Sequence, residues 1–264
     1  MRVVSARRLS SSFVRVSVRC SDPAFDATYA AMGYDQWFRL FFPAAGCDLA
    51  LSEGDPEGWY TRLLGMDERT RPAVRNYTVR EARREHGTWR IDIDFVVHTS
   101  PETGRVEGVA ASWALAARPG DVVGFLDQGT IFTTAGTGAD GDGAPVVIVS
   151  DESGLPGVEG IARSLPAATR AAVLLEVPHA DDRRPLESRA DLDVRWAVRE
   201  GAAAGVALLE ELDAIPLDPR GYVYIVGESA VTLKARRRAL RRGMPKASVD
   251  FCGYWRPERR RAAS

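Results

Sequence analysis

From Val146 onward the chain alternates apolar, strand-like runs with helical patterns, and this constrains the fold more than any other feature. The strand runs are 146–149, 171–177, 194–198, 222–226 and 249–255. Between them, a helix is expected to about Leu165, another over 203–212 with Val206, Leu209 and Leu212 as its apolar stripe, and a third from Gly227-Glu228-Ser229 to about Arg242. Such alternation implies a mostly parallel sheet covered on both faces. Ligands of such sheets bind beyond the carboxyl ends of the strands. That singles out the loops Asp151–Gly157 and Gly227–Ser229.

The first half has a different texture. Strand-like runs at 13–19, 36–42, 74–82, 88–97 and 122–126 are short and separated by turns such as Glu85-His86-Gly87 and Arg118-Pro119-Gly120-Asp121. In 88–97, Trp89, Ile91, Ile93 and Phe95 alternate with Arg90, Asp92 and Asp94, the period of a half-buried strand. One brief helix is expected over 110–116. A small antiparallel β-barrel follows. Residues 45–70 read as a surface excursion with a short helix near Trp59 to Leu64. The fold class expected is therefore α+β with two domains. An N-terminal antiparallel six-stranded Greek-key β-barrel (1–134) is joined by a Gly-rich linker (135–144) to an α/β nucleotide-binding domain with a mostly parallel sheet (145–264). The linker region contains a literal G-x-G-x-x-G at Gly136, Gly138 and Gly141. It precedes a strand instead of following one and opening a helix, so it is not read as a dinucleotide fingerprint.

Composition removes several classes of function. With 45% hydrophobic residues the chain can bury a sizeable core, and a net charge of −1 argues against a nucleic-acid partner. No apolar run approaches a membrane span, and residues 1–19 lack the apolar core of a signal peptide. Cys20, Cys47 and Cys252 are few, odd in number and far apart, which suggests neither a disulfide framework nor a metal site. A soluble protein of the reducing cytoplasm is expected.

Within the barrel region, the stretch Arg71-Pro72-Ala73-Val74-Arg75-Asn76-Tyr77-Thr78-Val79-Arg80 carries the chemistry. Period-two alternation would place Arg75 and Tyr77 on one strand face. A guanidinium binds phosphate oxygens through paired, charge-assisted bonds, and a phenol offers an aromatic surface with a polar handle. Together with the Thr78 hydroxyl they suit a flavin dinucleotide. Four residues alone read first as an ordinary strand; the order of other segments along the chain decides.

That order resembles the siderophore-interacting proteins, a branch of the ferredoxin-reductase-like flavoproteins. The segments that carry the resemblance are Arg71-Pro72-x-x-Arg75-x-Tyr77-Thr78-Val79-Arg80, Asp94-Phe95-Val96-Val97-His98, Ala110-x-x-Trp113-Ala114 with Pro119-Gly120-Asp121, Asp151-Glu152-Ser153-Gly154-Leu155-Pro156, Gly227-Glu228, and Gly253-Tyr254-Trp255-Arg256. The chain departs from the family pattern at Val109, where the family has proline, at Ala111, where the family has a hydroxyl residue, in a longer loop between His98 and Gly108, and at Asp127-Gln128-Gly129, where many members have Gly-Pro-x-Gly.

The resemblance implies FAD held by Arg75, Asn76, Tyr77 and Thr78, with Asp94, Val97 and His98 lining the flavin or ribose. The start of the helix, at Ala110, Ala111, Ser112 and Trp113, would receive the pyrophosphate, and Tyr254 and Trp255 would lie near the flavin face. It implies NADPH or NADH as donor, met by Asp151, Glu152, Ser153, Gly227 and Glu228, with ferredoxin as an alternative donor. The substrate implied is a ferric siderophore, reduced in the cytoplasm through flavin N5, with no acid–base residue and no resident metal. The protein is expected to be a monomer without nucleic-acid or membrane partners.

Plainer readings stand beside these. Asp151, Glu152 and Glu228 serve equally as helix caps. Lys234, Arg237, Arg238 and Arg241, spaced i, i+3, i+4 and i+7, read first as a solvated basic face and, more sharply, with Arg256, as a steering patch for an anionic substrate. His86 and His179 lie in turns, and Arg259-Arg260-Arg261 form a terminal tail. A general NAD(P)H:flavin oxidoreductase and a non-catalytic siderophore- or flavin-binding protein remain as alternatives.

Overall fold

The computed structural model describes residues 1–20, 22–51, 57–100, 103–133 and 144–257. The Gly-rich stretch after Thr133, with its three glycines, and the Arg259–Arg261 tail lie outside the described residues. The chain divides into two compact units, Met1–Thr130 and Ile131–Ser264.

The first unit contains β1 (Arg2–Arg8), β2 (Phe13–Arg19), α1 (Pro23–Thr28), β3 (Trp37–Phe42), α2 (Trp59–Leu64), β4 (Ala73–Thr78), β5 (Glu81–Glu85), β6 (Thr88–Val96), α3 (Val109–Ala116) and β7 (Gly124–Gly129). Two antiparallel sheets form, ordered β1-β2-β6-β5 and β4-β3-β7. They are joined at both sides. The segment Val79-Arg80 bonds to Gln36 of one sheet side and to Asp92 of the other, and Arg2 bridges Val122 just before β7. Seven strands are described where the sequence suggested six. The run 74–82 breaks in two as it passes between the sheets, and β1, with three arginines in seven residues, carries little apolar signal.

Register explains the core. Val14, Val16 and Val18 on β2 sit opposite Phe95, Ile93 and Ile91 on β6, and all six are buried. Directly opposed residues share a sheet face, so Arg15 with Asp94 and Ser17 with Asp92 fall on the outer face. There Asp92 accepts from Ser17 Oγ at 2.5 Å and from Arg83 at 2.9 Å, and Glu85 gathers Arg19, Arg83 and Arg90.

The second unit contains β8 (Val146–Ser150), α4 (Leu155–Ser164), β9 (Arg170–Val177), β10 (Asp191–Val198), α5 (Val206–Ala214), β11 (Tyr222–Glu228), α6 (Ser229–Arg241) and β12 (Val249–Trp255). All five strands are parallel, in the order β10-β9-β8-β11-β12. β8 and β11 are central and every residue in them is buried, as expected of strands covered on both faces. Gly227 and Glu228, expected to open the last helix, instead end β11; Glu228 then caps α6, its carboxylate accepting from the Val231 amide at 2.8 Å.

Candidate flavin and donor sites

In the first unit, β4 pairs with β3 so that Tyr77 lies opposite Phe38 and Arg75 opposite Leu40. Both therefore leave the same face of the sheet. Tyr77 packs on Phe95 with ring centroids 4.4 Å apart, and Trp113 of α3 packs on the same ring at 5.7 Å. One aromatic thus fixes both β4 and α3. Burial raises the Tyr77 phenol well above its ordinary range, so it stays protonated, and its hydroxyl has no hydrogen-bond partner among the described residues. Arg75 is exposed and donates only to the carbonyl of its neighbour Val74, at 2.8 Å. Asn76 is exposed, its Oδ1 3.4 Å from Arg39, and Thr78 is buried on the opposite sheet face.

Helix α3 begins at Gly108, which has a φ of 87° and supplies no side-chain cap. The first amides of a helix have no intrahelical partner and carry the positive end of its dipole. Here Val109 and Ser112 are exposed, while Ala110 and Ala111 are buried and so leave only backbone to offer. Exposed guanidinium, uncapped helix amides and unpartnered hydroxyls are all donors or cations. That set fits a diphosphate with a polar ring edge, which is what FAD presents.

Three expected contacts go elsewhere. Asp94 points to the outer face and is gripped by Arg15, so its carboxylate is not available to a ribose. The Val97 side chain is buried in the core, and the Trp113 ring serves packing. His98 is half-buried and its carbonyl accepts from the Glu107 amide at 2.9 Å. Beside these, Phe41, Leu51, Trp59, Leu63 and Met66 border a half-open, mostly apolar pocket of about 160 Å³.

In the second unit the expected donor residues converge, but on one another. Asp151 Oδ2 accepts from the Glu228 amide at 2.7 Å and from Trp255 Nε1 at 2.8 Å; Oδ1 accepts from the Ser153 amide and hydroxyl at 2.9 and 2.5 Å. Glu152 is fully buried against Arg199 at 2.5 Å, and burial together with the Asp151 charge pushes its carboxyl up to about 8. Tyr254 and Tyr224 share a hydroxyl hydrogen bond of 3.1 Å.

Sequence reasoning missed Arg199, which also binds Glu176 at 3.3 Å, while Glu176 accepts from the Gly205 amide at 2.8 Å and so caps α5 from a neighbouring strand. Nothing local marks this network, because its members are 23 to 47 residues apart. The basic row on α6 also needs correction. Lys234, Arg237 and Arg241 are exposed, as is Arg256, but Arg238 turns to α5, where it binds Asp213 and the Leu209 carbonyl.

Antiparallel sheets followed by a five-stranded parallel sheet give the chain the two-domain ferredoxin-reductase-like fold. The chain is an FAD-dependent oxidoreductase. Residues 2–130 match the family model for the siderophore-interacting FAD-binding domain and residues 144–258 that for siderophore-interacting protein. The chain belongs to the siderophore-interacting protein family.

Among its relatives is the ferric vibriobactin reductase ViuB of Vibrio cholerae, 27% identical over 75% of this chain and 68% of that protein. Another is the NADPH-dependent ferric-chelate reductase of Escherichia coli, 26% identical over 97% of this chain and 91% of that one. The crystal structure of a siderophore utilization protein from T. fusca is 25% identical, with a TM-score of 0.71 covering 100% of this chain and 92% of the other.

Proposed function

We propose that this chain reduces Fe(III) held by a siderophore, taking electrons from NAD(P)H through FAD and releasing Fe(II) in the cytoplasm. The observation that carries the reading is the flavin-fitting donor set of Arg75 and the α3 amides in a chain whose relatives are ferric reductases. The chemistry that FAD supplies when bound is conversion of a hydride into single electrons. The protein's part is placement. Arg75 and the α3 amides neutralise the diphosphate; the Tyr77 hydroxyl, on the Arg75 face of β4, meets the polar ring edge. Exposed Lys234, Arg237, Arg241 and Arg256 would draw in an anionic chelate. Oxygen ligands hold Fe(III) far better than Fe(II), so reduction frees the metal. The three cysteines form no disulfide, in keeping with a reducing compartment, and no helix among the described residues is long and apolar enough to cross a membrane.

The test is an anaerobic visible spectrum of the FAD-loaded protein. Bleaching by NADPH or NADH, then recolouring by a ferric siderophore with Fe(II) caught by a ferrous chelator, is the expected result. A protein that takes up no FAD from excess, or that recolours only with free flavin, overturns the reading.

A further inference from the structure

A doubly wound sheet takes its ligand beyond the carboxyl ends of the strands, at the point where the strand order reverses. In the order β10-β9-β8-β11-β12 that point lies between β8 and β11. A dinucleotide needs two things there: N–H groups free to receive its pyrophosphate, and room for the backbone to come close. In this protein the N–H groups are present and already engaged. Asp151, the first residue after β8, receives the amide of Glu228 from the end of β11, the indole N–H of Trp255 from the end of β12, and the amide and hydroxyl of Ser153. Four donors converge on one carboxylate that is 3% exposed.

The room is taken as well. A methyl group on Gly227 would lie 2.5 Å from Asp151 Oδ2, so glycine is needed there to admit the carboxylate. A methyl group on Gly154 would collide with Ser150 Oγ and Val226. Further carboxylates, Glu152 and Glu228, stand on either side, both buried. Arg199, the guanidinium that faces Glu152, is shared with Glu176.

We infer that Asp151 is a specificity-determining residue: its carboxylate stands where the donor's pyrophosphate would, and so closes the crevice to the phosphate and adenosine half of the donor. The enzyme then selects the reduced nicotinamide end alone. The inference rests on NAD(P)H being the donor, and it makes NADPH, NADH and reduced nicotinamide mononucleotide nearly equivalent.

The experiment has two arms. In the first, flavin bleaching in the FAD-loaded full chain is followed anaerobically with each of the three donors. Their kcat/KM values are expected to agree within about tenfold, which is about 1.4 kcal/mol. A preference of roughly a hundredfold or more for either dinucleotide over the mononucleotide overturns the inference. If no nicotinamide bleaches the flavin, the donor reading itself fails, and the second arm decides the role of Asp151.

In that arm ADP is titrated calorimetrically into the wild type, Asp151→Ser and Asp151→Asn. Serine opens the crevice. Asparagine keeps the size and an acceptor but removes the charge, and it covers the case in which the serine variant does not fold. Both are expected to gain ADP binding of at least roughly fivefold over the wild type. Wild-type binding as tight as that of either folded variant overturns the inference.

Discussion

Arg15 on β2 and Asp94 on β6 form a two-pronged ion pair, Nε to Oδ1 at 2.6 Å and Nη2 to Oδ2 at 2.9 Å, across a register in which the two residues are directly opposed. The Asp94 side chain has no exposed surface. Removing one partner of such a pair leaves the other desolvated, at a cost of about 3–5 kcal/mol when fully buried. Asp94→Ala is expected to lower the unfolding free energy by about 2–4 kcal/mol, since Arg15 keeps some exposure. The FAD affinity of the folded variant should change by less than about twofold. Urea denaturation and an FAD titration separate the two effects; if Asp94 held the ribose, affinity would fall first.

Arg75 should behave in the opposite way. It is exposed, and its one hydrogen bond among the described residues is to the adjoining carbonyl. Arg75→Ala is expected to leave the stability of the FAD-free protein within about 0.5 kcal/mol. Loss of a charge-assisted bond to a diphosphate should weaken FAD binding by about 1.5–3 kcal/mol, tenfold or more. Arg75→Lys should restore only part of this, because an ammonium lacks the paired donors of the guanidinium. Fluorescence titration with FAD checks all three proteins.

The contrast between these two residues also marks what a single sequence discloses. Periodicity placed Asp94 correctly, opposite in phase to Ile91, Ile93 and Phe95, but its partner lies 79 residues away and no local pattern points to it. Parallel β/α alternation was legible because the inner strands β8 and β11 are buried along their whole length and β9 along most of it. Helix α1 was not read, although Asp22 accepts from the Ala24 amide and Pro23 opens the helix; six residues with none buried give no periodicity. The Arg238 role was hidden for a similar reason. Spacing on α6 groups it with Lys234, Arg237 and Arg241, but only the position of α5 decides which of the four finds an acceptor.

Gly227 tests the tight join between β8 and β11. Its φ of 136° is open to glycine and to almost nothing else, and a Cβ there would press on the Asp151 carboxylate. Gly227→Ala is expected to destabilise the chain by about 2 kcal/mol or more, combining backbone strain with displacement of Asp151 from the Glu228 amide. Near-ultraviolet circular dichroism and thermal unfolding report it. Normal stability would mean that the end of β11 relaxes without loss.

Glu152 gives the chain a pH dependence of definite sign. Its carboxyl is raised from the usual 4.5 to about 8, by burial first and the Asp151 charge second, against the pull of Arg199. The folded chain therefore binds more protons than the unfolded chain between about pH 4.5 and about pH 8, and stability must fall as pH rises across that window. Below it both forms are protonated and above it both are ionised, so the contribution is level on either side. Glu152→Gln removes the titration while keeping a group that can accept from Arg199. Urea unfolding at several pH values through the window should show the wild type losing about 1 kcal/mol or more from Glu152, and a variant whose curve is flatter and higher at the alkaline end. A wild type that instead gains stability on crossing its lower edge, with the gain absent from the variant, would mean that Arg199 holds Glu152 ionised throughout.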